Sequence, residues 1–301
     1  MLRPFTLHQP SMLTEVADLL AEHHDEAILY AGGTEVLLLM KEGLLRPRHL
    51  IDVKRVPGLD TITATGGYLT IGATAHHRAV ECSPLVHERC PIVAGVARHV
   101  ANVRVRNVGT VGGNLAFADP HSDLATLFLA LDGTLTLWSR RGEHELSLTQ
   151  FVRGEYETAR EEDEVLTAVR LRPWPAGTVA AYLKFGVYER PTLGVTAAIQ
   201  PGAAGRPSAV CVTVGCVGPR PQRLFEVERQ AVGESPATLG ARSEELGSVA
   251  AREVEVVADR HGSAEYKREI TGVFVQRALH VATARAQGQE THARYAYTVI
   301  V

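Results

Sequence analysis

The sequence predicts an α+β protein in successive segments, and three observations carry the prediction. Within residues 2–55, short apolar strands alternate with amphipathic helical stretches. From Leu59 the texture changes to alternating runs joined by Gly-Gly and Arg-Gly turns. After the break Pro173-Trp-Pro-Ala-Gly177, a strand-like segment, a buried-looking strand and long helical stretches follow. The expected divisions are residues 1–57, 58–175 and 178–286, with a tail at 287–301.

Each element has its own signal. Residues 2–8 read as a strand with Phe5 and Leu7 inward, and Ser11 then precedes apolar residues 12, 13, 16, 19 and 20 at helical spacing. Residues 28–30 form a strand that runs into Ala31-Gly-Gly-Thr-Glu35. Thr34 stands where a helix N-cap is expected, and Gly43 where that helix stops. Residues 50–53 are another strand, and Pro57-Gly58 marks a turn. Residues 61–65 and 68–72 alternate, and Gly66-Gly67 joins them as a hairpin. Residues 79–99 are mainly helical, broken at Pro84 and Pro91. Residues 124–131 are a short apolar helix closed by Asp132-Gly133, and residues 134–138 and 144–148 form a second hairpin. Arg160-Glu-Glu-Asp-Glu164 reads as a solvated loop. Residues 209–215 look like a buried strand, and residues 243–259 and 264–286 are helical by pattern. The apolar tail, residues 295–301, is expected to be covered by this fold or by a partner.

Composition excludes several classes of function. The 301 residues are 45% hydrophobic and 22% charged, with a formal net charge of −3, so no global positive field suggests nucleic acid. No apolar run approaches the ~20 residues needed to span a membrane. The first residues lack a signal-peptide core, and a cytoplasmic protein is expected. Cys82, Cys90, Cys211 and Cys216 form no C-x-x-C pair, so zinc or iron–sulfur ligation has no local support. The histidine pairs His23-His24 and His76-His77 have no metal-ligand spacing, and no metal site is expected.

Chemistry concentrates in two glycine-rich stretches. In the longer one, Arg104-Val-Arg-Asn-Val-Gly-Thr-Val-Gly-Gly-Asn114, Gly109, Gly112 and Gly113 fall within five residues, behind Arg104 and Arg106 and ahead of Asp119 and Asp123. Dense glycines let backbone approach a ligand and take up positive φ, and successive free N–H groups can form an anion nest. Arginines suit a phosphate, and carboxylates can accept from sugar or ribityl hydroxyls. The same residues also make an ordinary glycine hairpin. The shorter stretch, Ala31 to Glu35, precedes a helix N-terminus, which favours anions. Two such loops could clasp a diphosphate from opposite sides.

Ala31-Gly-Gly-Thr-Glu35, Arg106-Asn-Val-Gly-Thr-Val-Gly-Gly-Asn114 and Asp119-Pro-His-Ser-Asp123-Leu, in this order, resemble the FAD-binding signatures of the medium subunit of the molybdenum hydroxylases, the carbon monoxide dehydrogenase and xanthine dehydrogenase family. The resemblance runs from about residue 3 to residue 286. It implies a two-subdomain FAD-binding domain of the vanillyl-alcohol-oxidase type followed by a C-terminal α/β domain of antiparallel sheet and helices. It implies that Ala31, Gly32, Gly33, Thr34, Glu35, Asn107, Gly109, Thr110, Gly112, Gly113 and Asn114 cradle FAD. Asp123 would accept from a cofactor hydroxyl, and Lys184 would lie near the isoalloxazine, favouring the anionic reduced flavin. Tyr188-Glu-Arg-Pro-Thr192 departs from the family's commoner pattern there. The implied partners are a large molybdenum-cofactor subunit, a small subunit with two [2Fe–2S] clusters, and an electron acceptor, with FAD as this chain's only redox cofactor. No G-x-G-x-x-G and no nucleophile constellation occurs. A stand-alone flavin oxidoreductase and a flavin-less scaffold subunit are the other readings.

Overall fold

The computed structural model describes residues 2–186, 190–289 and 294–301. The chain divides into two compact units, Met1–Ala118 with Gly133–Arg172, and Asp119–Asp132 with Pro173–Val301.

The first unit opens with β1 (Thr6–His8), α1 (Leu13–His23), β2 (Ala27–Tyr30), α2 (Val36–Lys41) and β3 (His49–Asp52). The three strands make a parallel sheet of order β1-β3-β2. Val16 and Leu20 of α1 pack with Ile51 and Val53, so α1 covers the Ile51 face. Leu7 pairs in register with Leu50 on the opposite face. It sits on an edge strand and is 48% exposed rather than inward.

β4 (Ile62–Thr65) and β5 (Tyr68–Gly72) form the expected hairpin. Gly66 and Gly67 both take positive φ, +59° and +81°, the two-residue turn that matches strand twist. Next come α3 (His77–Cys82), α4 (Pro84–Arg89) and α5 (Pro91–Arg98). Pro84 and Pro91 open their helices, where the missing N–H has no intrahelical partner to lose. α6 (Val103–Val108) and α7 (Val111–Phe117) follow, and α8 (Asp123–Ala130) belongs to the second unit.

The first unit resumes with β6 (Thr134–Ser139), β7 (Gly142–Ser147), α9 (Leu148–Phe151), β8 (Val152–Gly154), β9 (Glu157–Thr158) and β10 (Val165–Leu171). β4-β5-β10-β6-β7 form an antiparallel sheet, and β8 pairs with β9. The loop before β10 is not wholly solvated. Glu164 is buried, accepting from the Glu161 N–H at 2.9 Å and lying 2.6 Å from His144 Nε2.

The second unit adds β11 (Val179–Phe185), β12 (Leu193–Gln200), β13 (Ala209–Gly215), β14 (Gln222–Arg223), α10 (Phe225–Ala231), α11 (Pro236–Ala241), α12 (Ser243–Glu253), α13 (Ala264–Ala286) and β15 (Thr298–Ile300). Its antiparallel sheet has the order β14-β13-β12-β11-β15. Alternation decides which helices each face meets. Ala181, Leu183, Val195, Val212 and Val214 share one core with residues of α10, α11, α12 and α13. The opposite face meets α8, where Thr213 Oγ1 donates to the Thr126 carbonyl at 2.9 Å. Helix α12 ends at Glu253, short of the expected residue 259. The apolar tail is covered within the unit, because β15 pairs with β11. Among the described residues, no helix is long and apolar enough to cross a membrane.

Candidate functional site

The first glycine stretch leaves the C-terminal end of β2, in the parallel sheet of the first unit. Asp52, at the end of the adjacent β3, organises the approach. Its carboxylate accepts from the Lys54 N–H at 3.1 Å and from Lys54 Nζ at 2.6 Å. Lys54 Nζ also donates to the Ala31 carbonyl at 2.8 Å and lies 4.3 Å from the centre of the Tyr30 ring. A cation is thus pinned at the mouth of the stretch. Burial, then Asp52, pushes the Tyr30 phenol up from its ordinary range. Lys54 was not singled out from sequence. Its only local signal is an acid and a base two residues apart just after a strand.

Gly33 has φ of +70°, and a Cβ there would press into the Tyr30 ring, 2.7 Å from its hydroxyl. That backbone conformation carries the chain into α2 through a turn, with Leu37 N–H donating to the Gly33 carbonyl. The turn moves the helix start beyond Thr34. Glu35 occupies the cap position with no side-chain capping bond, which corrects the assignment of Thr34 as N-cap. Among the described residues, the N–H groups of Gly32, Gly33 and Thr34 have no intramolecular partner. These are half-buried donors, two of them on glycines, and free N–H groups in succession are what an anion cradle requires.

The second stretch differs from the expected nest. It is two short helices meeting at Gly109 and Thr110. Asn102 caps α6, accepting from the N–H groups of Arg104 and Val105, and Thr110 caps α7, accepting from Gly113 N–H at 3.1 Å. Gly109 N–H donates to Val105, Val111 to Ala75, Gly112 to Ala73 and Asn114 to Thr110. None of the three glycines takes positive φ. Gly112 is required by close packing instead, since a Cβ there would lie 2.5 Å from the Ala73 Cβ and 2.7 Å from its carbonyl oxygen. Arg106 is not available to a phosphate. Its guanidinium donates to Glu81 at 3.2 Å and to the carbonyls of Val100 and Ala101. Arg104, Asn107 and Gly113 are exposed.

The structure brings the two stretches together. A Cβ on Gly32 would overlap the Val108 carbonyl oxygen and lie 2.8 Å from the Gly109 Cα. Beside this seam lies His77, whose N–H donates to the Gly109 carbonyl at 3.0 Å. Its imidazole is buried, and its Nδ1 has no partner among the described residues. Burial above all, with His76 and Arg106 adding to it, lowers its pKa to about 4.

Asp123 and Lys184 meet in the second unit. Tyr182 and Lys184 point from β11 to the face that carries α8, and Asp123 opens that helix. Lys184 Nζ donates to Asp123 Oδ2 at 2.7 Å, and the Tyr182 hydroxyl donates to Oδ1 at 2.8 Å. Burial drives the Tyr182 phenol well up, and Asp123 adds to the effect. Asp119 is a turn residue, accepting from His121 N–H at 2.9 Å and ion-paired with Arg190 at 2.7 Å. Tyr188 and Glu189 of the sequence departure lie outside the described residues.

Comparison with known proteins matches both parts of the chain. Residues 3–174 match the model of the FAD binding domain in molybdopterin dehydrogenase, and residues 190–282 that of the CO dehydrogenase flavoprotein C-terminal domain. The chain is 31% identical to the carbon monoxide dehydrogenase medium chain of Hydrogenophaga pseudoflava, over 93% of this chain and 98% of that one. It is 30% identical to the nicotine 6-hydroxylase medium subunit of Paenarthrobacter nicotinovorans, over 92% and 96%. Among solved structures, it is similar to carbon monoxide dehydrogenase from Hydrogenophaga pseudoflava lacking the Mo-pyranopterin moiety, with a TM-score of 0.89 at 31% identity, covering 95% and 99%. It is also similar to quinoline 2-oxidoreductase from Pseudomonas putida 86, with a TM-score of 0.88 at 29% identity, covering 95% and 99%.

Proposed function

This chain belongs to the FAD-binding medium-subunit family of the molybdenum hydroxylases, and we propose that it is the electron-transfer flavoprotein of such an enzyme. Its partners in this reading are a large molybdenum-cofactor subunit, where substrate is hydroxylated, and a small [2Fe–2S] subunit that delivers electrons. An external acceptor takes them away. FAD, when bound, supplies the chemistry of accepting electrons singly and releasing them as a pair.

The observation that carries the reading is the seam between the two glycine stretches. Gly32, Gly33 and Thr34 offer backbone donors with no partner among the described residues, and side chains at Gly32 and Gly33 are excluded by contact with Val108, Gly109 and Tyr30. Those residues fit a diphosphate. Ala31 and Glu35 flank the donors, and Lys54 adds a positive charge held by Asp52 and the Ala31 carbonyl. Thr110, Gly112 and Asn114 form the rigid opposing wall, since their bonds lie within the fold. Asn107, Gly109 and Gly113 border it.

Asp123 and Lys184 remain in the proposal as a pair. A carboxylate has about four acceptor sites. The bonds from Tyr182 and Lys184 leave Asp123 capacity for a cofactor hydroxyl. Lys184, its charge met by Asp123, is proposed to lie near the flavin ring.

Native mass spectrometry of the complex, purified gently from its own host, tests the reading. The expected result is this chain carrying one FAD, together with a molybdenum subunit and an iron–sulfur subunit. The chain recovered alone with FAD would overturn the electron-transfer role and leave a self-contained flavin oxidoreductase.

A further inference from the structure

We propose that His8, His23 and His49 form a binding site for a zinc-class divalent cation on the first unit. One nitrogen from each ring lies within 4.8 Å of the other two. His8 Nε2 and His49 Nδ1 are 2.9 Å apart. The rings of His23 and His49 stack with centres 3.7 Å apart, and His8 lies 5.3 Å and 5.1 Å from them.

The fold sets this convergence through three separate elements. In the β1–β3 ladder, Thr6 pairs with His49 and His8 with Ile51. His8 and His49 are therefore diagonal neighbours on one face of the sheet, because side chains alternate with period two. That face is the one α1 covers, through Val16 and Leu20 packed with Ile51. His23 ends α1, three residues after Leu20 and seven after Val16, so it extends the same stripe past the apolar core. Strand register and helix packing together hold the three positions. The sequence hides them, because 15 and 26 residues separate them (23 − 8 and 49 − 23) and no short ligand motif results.

The chemistry fits a cation at the centre. Tetrahedral zinc with Zn–N bonds of about 2.0–2.1 Å places its ligand nitrogens roughly 3.3 Å apart. The 2.9 Å separation of one pair and the 4.8 Å limit on all pairs bracket that value. Small ring rotations would therefore close the set. Imidazole ligands suit zinc, copper and nickel rather than magnesium or calcium. The rings are half-buried, so water can reach a fourth position, and Glu22 Oε1 stands 3.9 Å from His23 Nε2 as an acidic neighbour. A hydrogen bond joins His8 and His49, whereas the nearly parallel His23 and His49 rings, 3.7 Å apart, lack the edge-on geometry that aromatic pairs prefer.

The experiment titrates the tag-free protein with Zn²⁺ by calorimetry after chelator treatment and desalting. Visible absorption with Co²⁺ reports the ligand geometry. The expected result is one Zn²⁺ per chain, a tetrahedral Co²⁺ spectrum, and affinity at least about tenfold weaker in His8→Gln and His49→Gln. Circular dichroism shows that each variant keeps its fold. Should a strand variant unfold, His23→Gln at the helix end carries the comparison. Absence of Zn²⁺ uptake by the wild type, or equal uptake by the folded variants, would overturn the site.

Discussion

Replacing Gly32 with alanine puts a methyl group into the seam between the two glycine stretches. The added Cβ would lie 2.8 Å from the Gly109 Cα and 3.0 Å from the Val108 carbonyl carbon, and closer still to the Val108 oxygen. Ordinary contact begins near 3.4 Å, so the stretches must part by at least 0.6 Å at Gly109 (3.4 − 2.8). The obstructing atoms are backbone and cannot swing aside as a flexible side chain would. Overpacking of this kind costs about 1–3 kcal/mol. The same backbone carries the N–H groups assigned to the diphosphate. The free protein can relax the clash by parting the stretches, whereas binding needs those groups in their native place, so the cost falls on the bound state and appears as lost cofactor affinity. At about 1.4 kcal/mol per factor of ten, FAD binding should weaken roughly 5- to 150-fold. The assay is fluorescence titration of apoprotein with FAD, with melting followed in parallel. Gly154→Ala is the control, because its Cβ would meet nothing nearer than 3.6 Å. It should change affinity less than about twofold, well under 1 kcal/mol. Gly32→Ala protein that binds FAD within twofold of wild type and melts at the same temperature would show that the seam has room for a methyl group and does not hold the diphosphate.

Other consequences follow from buried groups. Asp123→Asn keeps an acceptor for Tyr182 but removes the charge facing Lys184 in a buried pair. It should destabilise the protein by about 3–5 kcal/mol in denaturant melts, with Asp123→Asn/Lys184→Met recovering most of it. A single-variant loss below about 1 kcal/mol contradicts that role. His77 is held neutral in the fold, with its pKa lowered from 6.5 to about 4. The unfolded chain takes up this proton first, so the stability His77 contributes is complete above pH 6.5 and is lost as pH falls towards 4. The loss amounts to about 3 kcal/mol. His77→Gln should flatten the stability–pH curve in that window, and parallel curves would exclude the assignment. Cys90, Cys211 and Cys216 are buried, with thiols pushed up by that burial, whereas Cys82 is exposed. A native-state thiol assay should therefore register one fast thiol, absent in Cys82→Ser. Two or more fast thiols would contradict the burial.

Local chemistry was legible in the sequence. Gly66-Gly67 specifies its hairpin by itself, and Pro84 and Pro91 break the helical stretch, each opening a new helix where proline's missing N–H costs nothing. The alternation of strands and helices in residues 2–55 is also legible, and the three strands pair in parallel around Ile51. The glycine signatures carried the family and its flavin for the same reason, since each is a short contiguous run. Features set by backbone conformation or by distant partners are not visible in this way. Gly112 looks like a turn residue, yet it lies inside α7, where Ala73 leaves no room for a Cβ. Arg106 looks like a phosphate ligand, yet Glu81 and two backbone carbonyls hold it. Thr34 loses its cap position to the turn that Gly33 makes. Lys54 at the mouth of the first stretch, and the convergence of His8, His23 and His49, arise only once strands far apart in sequence are in register.

The flavin-binding role depends on one placement, the cofactor diphosphate at the seam of the first unit. A high-resolution structure of the flavin-loaded protein tests it directly. The two phosphates should lie within hydrogen-bonding distance of the N–H groups of Gly32, Gly33 and Thr34. Phosphates bound elsewhere, with those three N–H groups facing only solvent, would contradict it.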